Sequence, residues 1–228
     1  MVIAALLALL LVGRAVARAP WGRLREPLRL HAWLGTIVVL GLLWTMNAGV
    51  RDGLNLHLVG ATVATLMFGP WLALLAMAAV LVATALNGEL DWSALGINLL
   101  VTAAVPIGFT AALHRWCERC LPANYFVYIF VQAFAGSGAG VMLVGLVATG
   151  LLMAGGAFPA AVLLDEYLPF FLLLAFSEAW LGGMATTLMV VFRPEWVTTF
   201  DDRRYLTRRA GRSAVAERHR QDTGEKQE

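Results

Sequence analysis

The sequence predicts an all-α, polytopic membrane protein with about seven transmembrane helices. Hydrophobic residues make up 60% of the 228-residue chain and charged residues only 14%, whereas about a quarter of a soluble domain is usually charged. The mean hydropathy is +0.73. Apolar runs recur along most of the chain. A single membrane anchor attached to a soluble domain is therefore excluded.

Seven apolar runs are the predicted spans, because a helix of about 20 apolar residues crosses the hydrocarbon core of a bilayer. The third and fourth runs are short and meet at Gly69-Pro70, a pair that breaks a helix and favours a turn. They form either a tight transmembrane hairpin or a re-entrant pair, and both return the chain to the side from which it came. The predicted spans are residues 1–13, 32–50, 54–68, 71–86, 93–114, 125–150 and 167–192.

Basic and acidic residues segregate between the connections. Arginines crowd residues 14–29, Arg115 and Arg119 precede the sixth span, and nine of the seventeen basic residues lie between 193 and 226. The connections 87–92 and 154–166 hold acidic residues but no Lys or Arg. Because basic connections stay in the cytoplasm, seven alternating spans predict an N-out, C-in topology. The exception is Arg51, on the outer side.

The chain divides at about residue 200. Residues 1–200 are the predicted transmembrane bundle, which is surrounded by membrane lipid. Residues 201–228 are a predicted cytoplasmic tail, expected to be largely disordered because its final stretch is charged and lacks aromatic residues. No nucleic-acid partner is predicted.

Three polar side chains are predicted at a similar depth near the outer face. Asn47, His57 and Asn98 each lie a few residues inside a predicted span, within roughly 8 Å of the outer boundary at the rise of a helix. Polar groups at membrane depth are energetically unfavourable, so they are expected to have a hydrogen-bond partner or a function. The three side chains either form a pocket open to the outside, with Asn55 as a further lining residue, or make hydrogen bonds between helices.

Glu178 lies near the middle of the last predicted span. A carboxylate at mid-membrane is a functional candidate by default. Two interpretations stay open, an intramembrane coupling residue and a structural strut within the bundle. The helix rise places Glu178 ~10 Å from the outer polar group along the membrane normal, so joint ligation of one ion by Glu178 and His57 is not expected.

Sequence motifs for catalysis and nucleotide binding are absent. The chain contains no P-loop, no nucleophile elbow and no HExxH pattern, so an enzyme is not predicted. Cys117 and Cys120 form a lone CxxC in a predicted cytoplasmic connection. One such pair supplies only half of a zinc site, and its role stays open.

Several segments resemble one family of transport proteins. Residues 53–60 read GLNLHLVG, residues 92–98 read WSALGIN, and residues 177–182 read SEAWLG. They are similar to the His-Leu-x-Gly motif, the Gly-x-Asn helix start and the last-helix Glu-Ala signature of the CbiM/NikM family. Residues 167–205 also resemble a branch of these permeases, and the likeness spans about residues 30–206.

Members of the CbiM/NikM family are substrate-capture components of energy-coupling-factor transporters for cobalt or nickel. The resemblance implies a protein of the bacterial inner membrane that captures a divalent metal outside the cell. A transmembrane coupling subunit and cytoplasmic ATPases then drive its release inward. Nickel or cobalt is the implied substrate, no prosthetic group is implied, and His57 matches a histidine ligand of the family.

The sequence departs from the family at its start. The family's site also uses the N-terminal amine and a His at position two, whereas this sequence begins Met1-Val2. One imidazole alone makes a weak metal site. Three explanations stay open: other ligands complete the site, the true start differs, or metal capture has been lost. In the last case the chain is an accessory membrane protein of the same fold.

Overall fold

The fold is a bundle of helices to which one short β-hairpin is added. The computed structural model describes residues 2–46, 48–51, 54–156, 158–201 and 205. The helices of the described chain are α1 (Val2–Arg18), α2 (Pro27–Thr45), α3 (Ala61–Phe68), α4 (Pro70–Leu86), α5 (Trp92–Cys120), α6 (Tyr125–Ala154) and α7 (Val162–Phe192). A short 3-10 turn, Trp21–Arg25, lies between α1 and α2, and another, Pro194–Trp196, follows α7.

Four of these helices, α2, α5, α6 and α7, are long and apolar enough to cross a membrane, and α4 is a shorter apolar helix. The outer surface of the bundle exposes many large apolar side chains, such as Leu10 at 70% and Leu172 at 68%. In water such a surface would be unfavourable, whereas lipid tails solvate it. The prediction of an α-helical membrane protein is confirmed, with four helices that are long and apolar enough to span a membrane among the described residues. The number of spanning helices and their orientation stay predictions.

The predicted span 54–68 is wrong in its first half. Leu54–Leu56 forms strand β2, which pairs antiparallel with strand β1 (Ala48–Arg51). The end of the predicted second span, 32–50, is therefore strand as well, and α2 ends at Thr45. Residues 57–60 carry no regular structure, and helix begins only at Ala61. Helix α3 is thus eight residues long, much shorter than the hydrocarbon core is thick.

The predicted break between the third and fourth spans is confirmed. Gly69 has φ +80°, in the region open to glycine, and Pro70 is the first residue of α4, where its missing N–H costs nothing. Helices α3 and α4 pack against each other across this turn. Almost every residue of α3 is buried, so the short helix lies inside the bundle.

Glycines set the closest helix contacts. A Cβ on Gly138 in α6 would lie 3.0 Å from the carbonyl oxygen of Ala175 in α7, and one on Gly145 would lie 2.4 Å from the Phe171 ring. The small residues of α6 therefore permit the close packing on α7 that a small-xxx-small pattern indicates.

The C-terminal end of α5 and the segment after α7 differ from the expectations. Cys117 and Cys120 lie in the last turn of α5, not in a connection, and both are free thiols. Of the predicted tail 201–228, only Asp201 and Tyr205 lie within the described residues. Tyr205 is buried and stacks on Phe200, with ring centroids 5.0 Å apart.

Candidate functional site

His57 lies in the loop that joins β2 to α3. Its imidazole packs on the indole of Trp44 from α2, with ring centroids 4.2 Å apart and planes 38° apart. The His57 ring Nδ1 lies 3.2 Å from the carbonyl oxygen of Leu58. In the tautomer where Nδ1 donates to that carbonyl, the lone pair of Nε2 stays available to a metal ion. His57 is half-buried, so its ring is positioned but not enclosed.

Glu178 holds the same loop from α7. Its Oε1 accepts hydrogen bonds from the backbone N–H groups of Val59 and Gly60, the latter at 2.8 Å. These N–H groups lie at the start of α3, where Gly60 is the N-cap residue with φ +67°. A carboxylate at a helix N-terminus is favoured both by the free N–H groups and by the helix dipole. Glu178 therefore anchors the N-terminus of α3.

Glu178 contacts the loop that carries His57, and the separation of ~10 Å expected between the two side chains along the membrane normal stays a prediction. The hydrogen-bond acceptor of Glu178 contacts a residue two positions after His57. The depth estimate assumed a helical rise of about 1.5 Å per residue from Leu54 onward. Because 54–60 is strand and loop, each residue advances further, roughly 3.3 Å in a strand. The chain therefore descends to the level of Glu178 within a few residues.

Of the three predicted asparagines, Asn98 is the one whose side chain lies within the described residues. The amide nitrogen of Asn98 donates to the carbonyl oxygen of Ala94, one turn earlier in α5, and no hydrogen bond joins Asn98 to His57 within the described chain. The side-chain partner of His57 is instead the Leu58 carbonyl. Asn47 lies outside the described residues. Asn55 is described only through its backbone, which pairs with Gly49 in the hairpin.

The C-terminus of α3 is held by a segment that sequence reasoning missed. The backbone N–H of Thr198 donates to the Met67 carbonyl at 2.9 Å, and that of Thr199 to the Leu66 carbonyl at 3.3 Å. The Thr199 hydroxyl adds a bond to the Leu66 carbonyl at 2.8 Å and lies 2.7 Å from the Tyr128 hydroxyl. These groups satisfy carbonyls that a helix end leaves free. Both ends of α3 are thus bound by α7 or by the residues that follow it.

The donor set for a metal ion around His57 is small. Over residues 2–46, 48–51, 54–156, 158–201 and 205, no group of three or more His, Cys, Asp or Glu side chains is placed to hold a metal ion. Glu178 has one carboxylate oxygen occupied by backbone N–H groups. Within the described residues, the arrangement therefore offers one imidazole on an anchored loop, and its Nε2 is available to a metal ion in the tautomer that donates from Nδ1.

Comparison with known proteins identifies one relationship. A family model described as the cobalt uptake substrate-specific transmembrane region, CbiM, matches residues 1–196. The match includes the hairpin, His57, all seven helices and the 3-10 turn after α7. No curated protein and no solved structure matches the chain at a significant level.

Proposed function

We propose that this chain, which belongs to the CbiM family of cobalt uptake transmembrane proteins, is the substrate-capture component of an energy-coupling-factor uptake system for a divalent transition metal. Cobalt or nickel is the proposed substrate. The observation that carries the proposal is the position of His57, held against Trp44 on a loop that Glu178 anchors. Imidazole is a favoured ligand of both metals.

The proposed role of Glu178 is to position this loop. Its hydrogen bonds to Val59 and Gly60 fix the backbone two and three residues after His57. A metal ligand on a mobile loop must be ordered at the moment of binding, which weakens affinity. A loop anchored beforehand avoids much of that cost. Glu178 therefore acts through His57 and is a positioning residue.

The proposed system has further parts. The chain lies in the bacterial inner membrane with its N-terminus outside and its C-terminus inside, which the segregation of basic connections supports. A transmembrane coupling subunit and cytoplasmic ATPases supply the energy, since the sequence has no P-loop of its own.

Reporter fusions test the proposed orientation. A reporter fused after Glu228 should be cytoplasmic, and one inserted near Gly155 extracytoplasmic. Reversal of either signal would contradict this orientation.

Metal titration tests the central proposal. Detergent-purified protein is titrated with cobalt and with nickel, and the His57→Ala variant should lose binding while remaining folded and inserted. His31→Ala is the matched control, because His31 is an exposed imidazole on α2 and its loss should leave affinity unchanged. Equal affinity of the His57→Ala variant and the wild type would remove His57 as a ligand.

A second function is favoured by one observation, the small donor set. Within the described residues no cluster of three ligating side chains surrounds His57. A chain of this fold without metal affinity would be an accessory membrane protein. No binding of either metal by the wild type would support this function over metal capture.

A further inference from the structure

His114 lies near the C-terminal end of α5, and its imidazole contacts a buried amide of α6. The ring Nδ1 lies 2.7 Å from the Oε1 of Gln132, a side chain that is only 2% exposed. A buried amide needs a hydrogen-bond partner, and this contact supplies one. Because an amide oxygen can only accept, the Nδ1 of a neutral His114 carries the proton, and its Nε2 carries the lone pair.

The carboxylate of Glu118 faces that lone pair from the next turn of the same helix. The His114 Nε2 lies 3.8 Å from the Glu118 Oε2, a distance too long for a hydrogen bond. The two side chains are 18% and 32% exposed, so water and a small ion can reach them. A lone pair and a carboxylate are both electron-rich, and a cation between them completes the arrangement. A proton fills this place in an ion pair, and a divalent metal ion fills it in a coordination site.

The geometry of the pair suits a metal ion. Imidazole nitrogen and carboxylate oxygen bind a zinc-like ion at about 2.0–2.2 Å, so two neighbouring ligands stand about 3.0–3.4 Å apart. The observed 3.8 Å must shorten by about 0.5 Å, which small torsions of a part-exposed glutamate provide. Histidines that ligate metals usually donate their other ring N–H to a carbonyl or carboxylate. Gln132 accepts this second N–H from His114.

This pair is remote from the loop that carries His57, which precedes α3. Helix α6 runs along α3, with Gly140 beside Thr62 at the N-terminal end of α3. Tyr128 is joined through a threonine hydroxyl to the C-terminal end of α3. Gln132 lies one turn from Tyr128, and therefore beside the C-terminal half of α3. In the proposed orientation, this end of the bundle faces the cytoplasm.

The charges around the pair oppose each other. The free carbonyl groups at the C-terminal end of α5 attract a cation through the helix dipole, whereas the exposed Arg115 and Arg119 on the same turns repel it. We therefore expect loose binding. An ion on its way into the cytoplasm needs a site of this kind, because a tight site would retain it.

We propose that His114 and Glu118 bind a divalent transition metal at the C-terminal end of α5, with water completing the coordination. His114 Nε2 and the Glu118 carboxylate are the ligands, and Gln132 is a positioning residue that holds the imidazole. The site is separate from the capture site proposed at His57. It rests on the proposed function for the choice of metal, cobalt or nickel, and it is a binding place on the side of release.

Acylation of histidines by diethyl pyrocarbonate tests the site residue by residue. The reagent attacks the unprotonated ring nitrogen, and peptide mass spectrometry of the detergent-purified protein measures the reaction at each histidine. Cobalt at about ten times the dissociation constant should slow acylation of His114 about tenfold, because only empty sites react. Magnesium should give no protection, since it prefers oxygen ligands. His31, an exposed imidazole on α2, is the control and should react equally with and without cobalt.

Two results of this experiment would overturn the site. A His114 that fails to react in the metal-free protein would show that its Nε2 carries no accessible lone pair. A His114 that reacts equally in the presence of about 1 mM cobalt would show that the pair with Glu118 is closed by a proton only.

Substitutions of Glu118 and Gln132 test their separate roles. Glu118→Gln should abolish the protection of His114, whereas Glu118→His should strengthen it, because two imidazoles one turn apart on a helix form a favoured ligand pair. Gln132→Leu should weaken the affinity for cobalt about tenfold, as the loss of a group that orients a ligand does. Glu89→Gln alters an exposed carboxylate in the 87–92 connection and is the matched control. Unchanged protection in both Glu118 variants would refute ligation by this residue.

The same peptides separate this site from the proposed capture site. Protection of His57 by cobalt reports capture, and protection of His114 reports the site on α5. Cobalt that the His57→Ala variant still binds should protect His114. Protection of His57 alone would refute the site on α5, whereas protection of His114 alone would refute capture at His57.

Discussion

Replacement of Glu178 by alanine removes the anchor of the loop that carries His57. The carboxylate is the acceptor for the N–H groups of Val59 and Gly60, and alanine offers no acceptor in its place. Helix α3 would then begin with two unpaired donors inside the bundle. Glu178→Gln keeps the shape of the side chain, and its amide oxygen still accepts both hydrogen bonds.

The expected loss of stability in Glu178→Ala follows from the burial of the Val59 and Gly60 N–H groups. An unpaired buried N–H group costs about 1–3 kcal/mol. Val59 is 3% exposed and Gly60 is half-buried, so water reaches one of the two groups in part. We therefore expect Glu178→Ala to lower the free energy of unfolding by about 2–4 kcal/mol. For Glu178→Gln we expect about 1 kcal/mol, the difference between a charged and a neutral acceptor.

Two measurements check this expectation. Thermal unfolding of detergent-solubilised protein reports the stability. Titration with cobalt reports whether the loop that carries His57 is ordered before binding, because each 1.4 kcal/mol needed to order it weakens the affinity for cobalt about tenfold. Ser177→Ala is the control, since the exposed Ser177 hydroxyl donates to the Leu173 carbonyl one turn earlier in its own helix. If the Ala variant unfolds at the wild-type temperature, or the Gln variant is equally destabilised, the anchoring role of Glu178 is refuted.

Further substitutions test the packing, each by thermal unfolding. Gly60→Ala should cost about 1–2 kcal/mol, because its φ of +67° strains any L-residue with a Cβ. Gly96→Ala places a Cβ 2.7 Å from the Ala5 Cα and should cost about 1–3 kcal/mol by displacing α1, whereas Gly108→Ala in the same helix meets no atom within 4 Å and should not destabilise. Thr199→Val removes two side-chain hydrogen bonds and should cost about 1–3 kcal/mol; unchanged stability would show that the C-terminal hold on α3 is dispensable.

The long helices are predictable from the sequence because lipid imposes a simple rule. A spanning segment must satisfy its own backbone groups and expose apolar side chains, and both demands leave continuous apolar runs. Helices α5, α6 and α7 accordingly contain the predicted runs and extend beyond them by a few residues. The extensions carry charged residues such as Arg115 and Asp165, which lie at helix ends where hydropathy gives no signal.

The hairpin was missed although the sequence contains its signals. Leu54, Leu56 and Leu58 alternate with other residues, which is the period of a strand, and Asp52-Gly53 is a preferred hairpin dipeptide. The apolar content of 54–68 outweighed these local signals in the prediction of a helix.

The contacts at the two ends of α3 had no sequence signal at all. The donors to Glu178 and the acceptors for Thr198 are backbone groups, which every residue possesses. Glu178 could be singled out as a buried carboxylate from its place in an apolar run. Its partner could be found only from the path of the chain through 57–60.

The hydrogen bonds at both ends of α3 also fix the length of chain between Glu178 and Thr198. Glu178 bonds to the N-terminal end of α3 and Thr198 to its C-terminal end, so the stretch of chain between these two residues must match the eight-residue helix. One residue inserted or deleted in α7 between them would rotate Glu178 by about 100° relative to Thr198 and shift it by about 1.5 Å along the axis. Such a change would release one end of α3 without altering any residue that contacts it. Substitutions of exposed residues in this part of α7, such as Met184 and Leu188, should thus be better tolerated than a change in its number of residues.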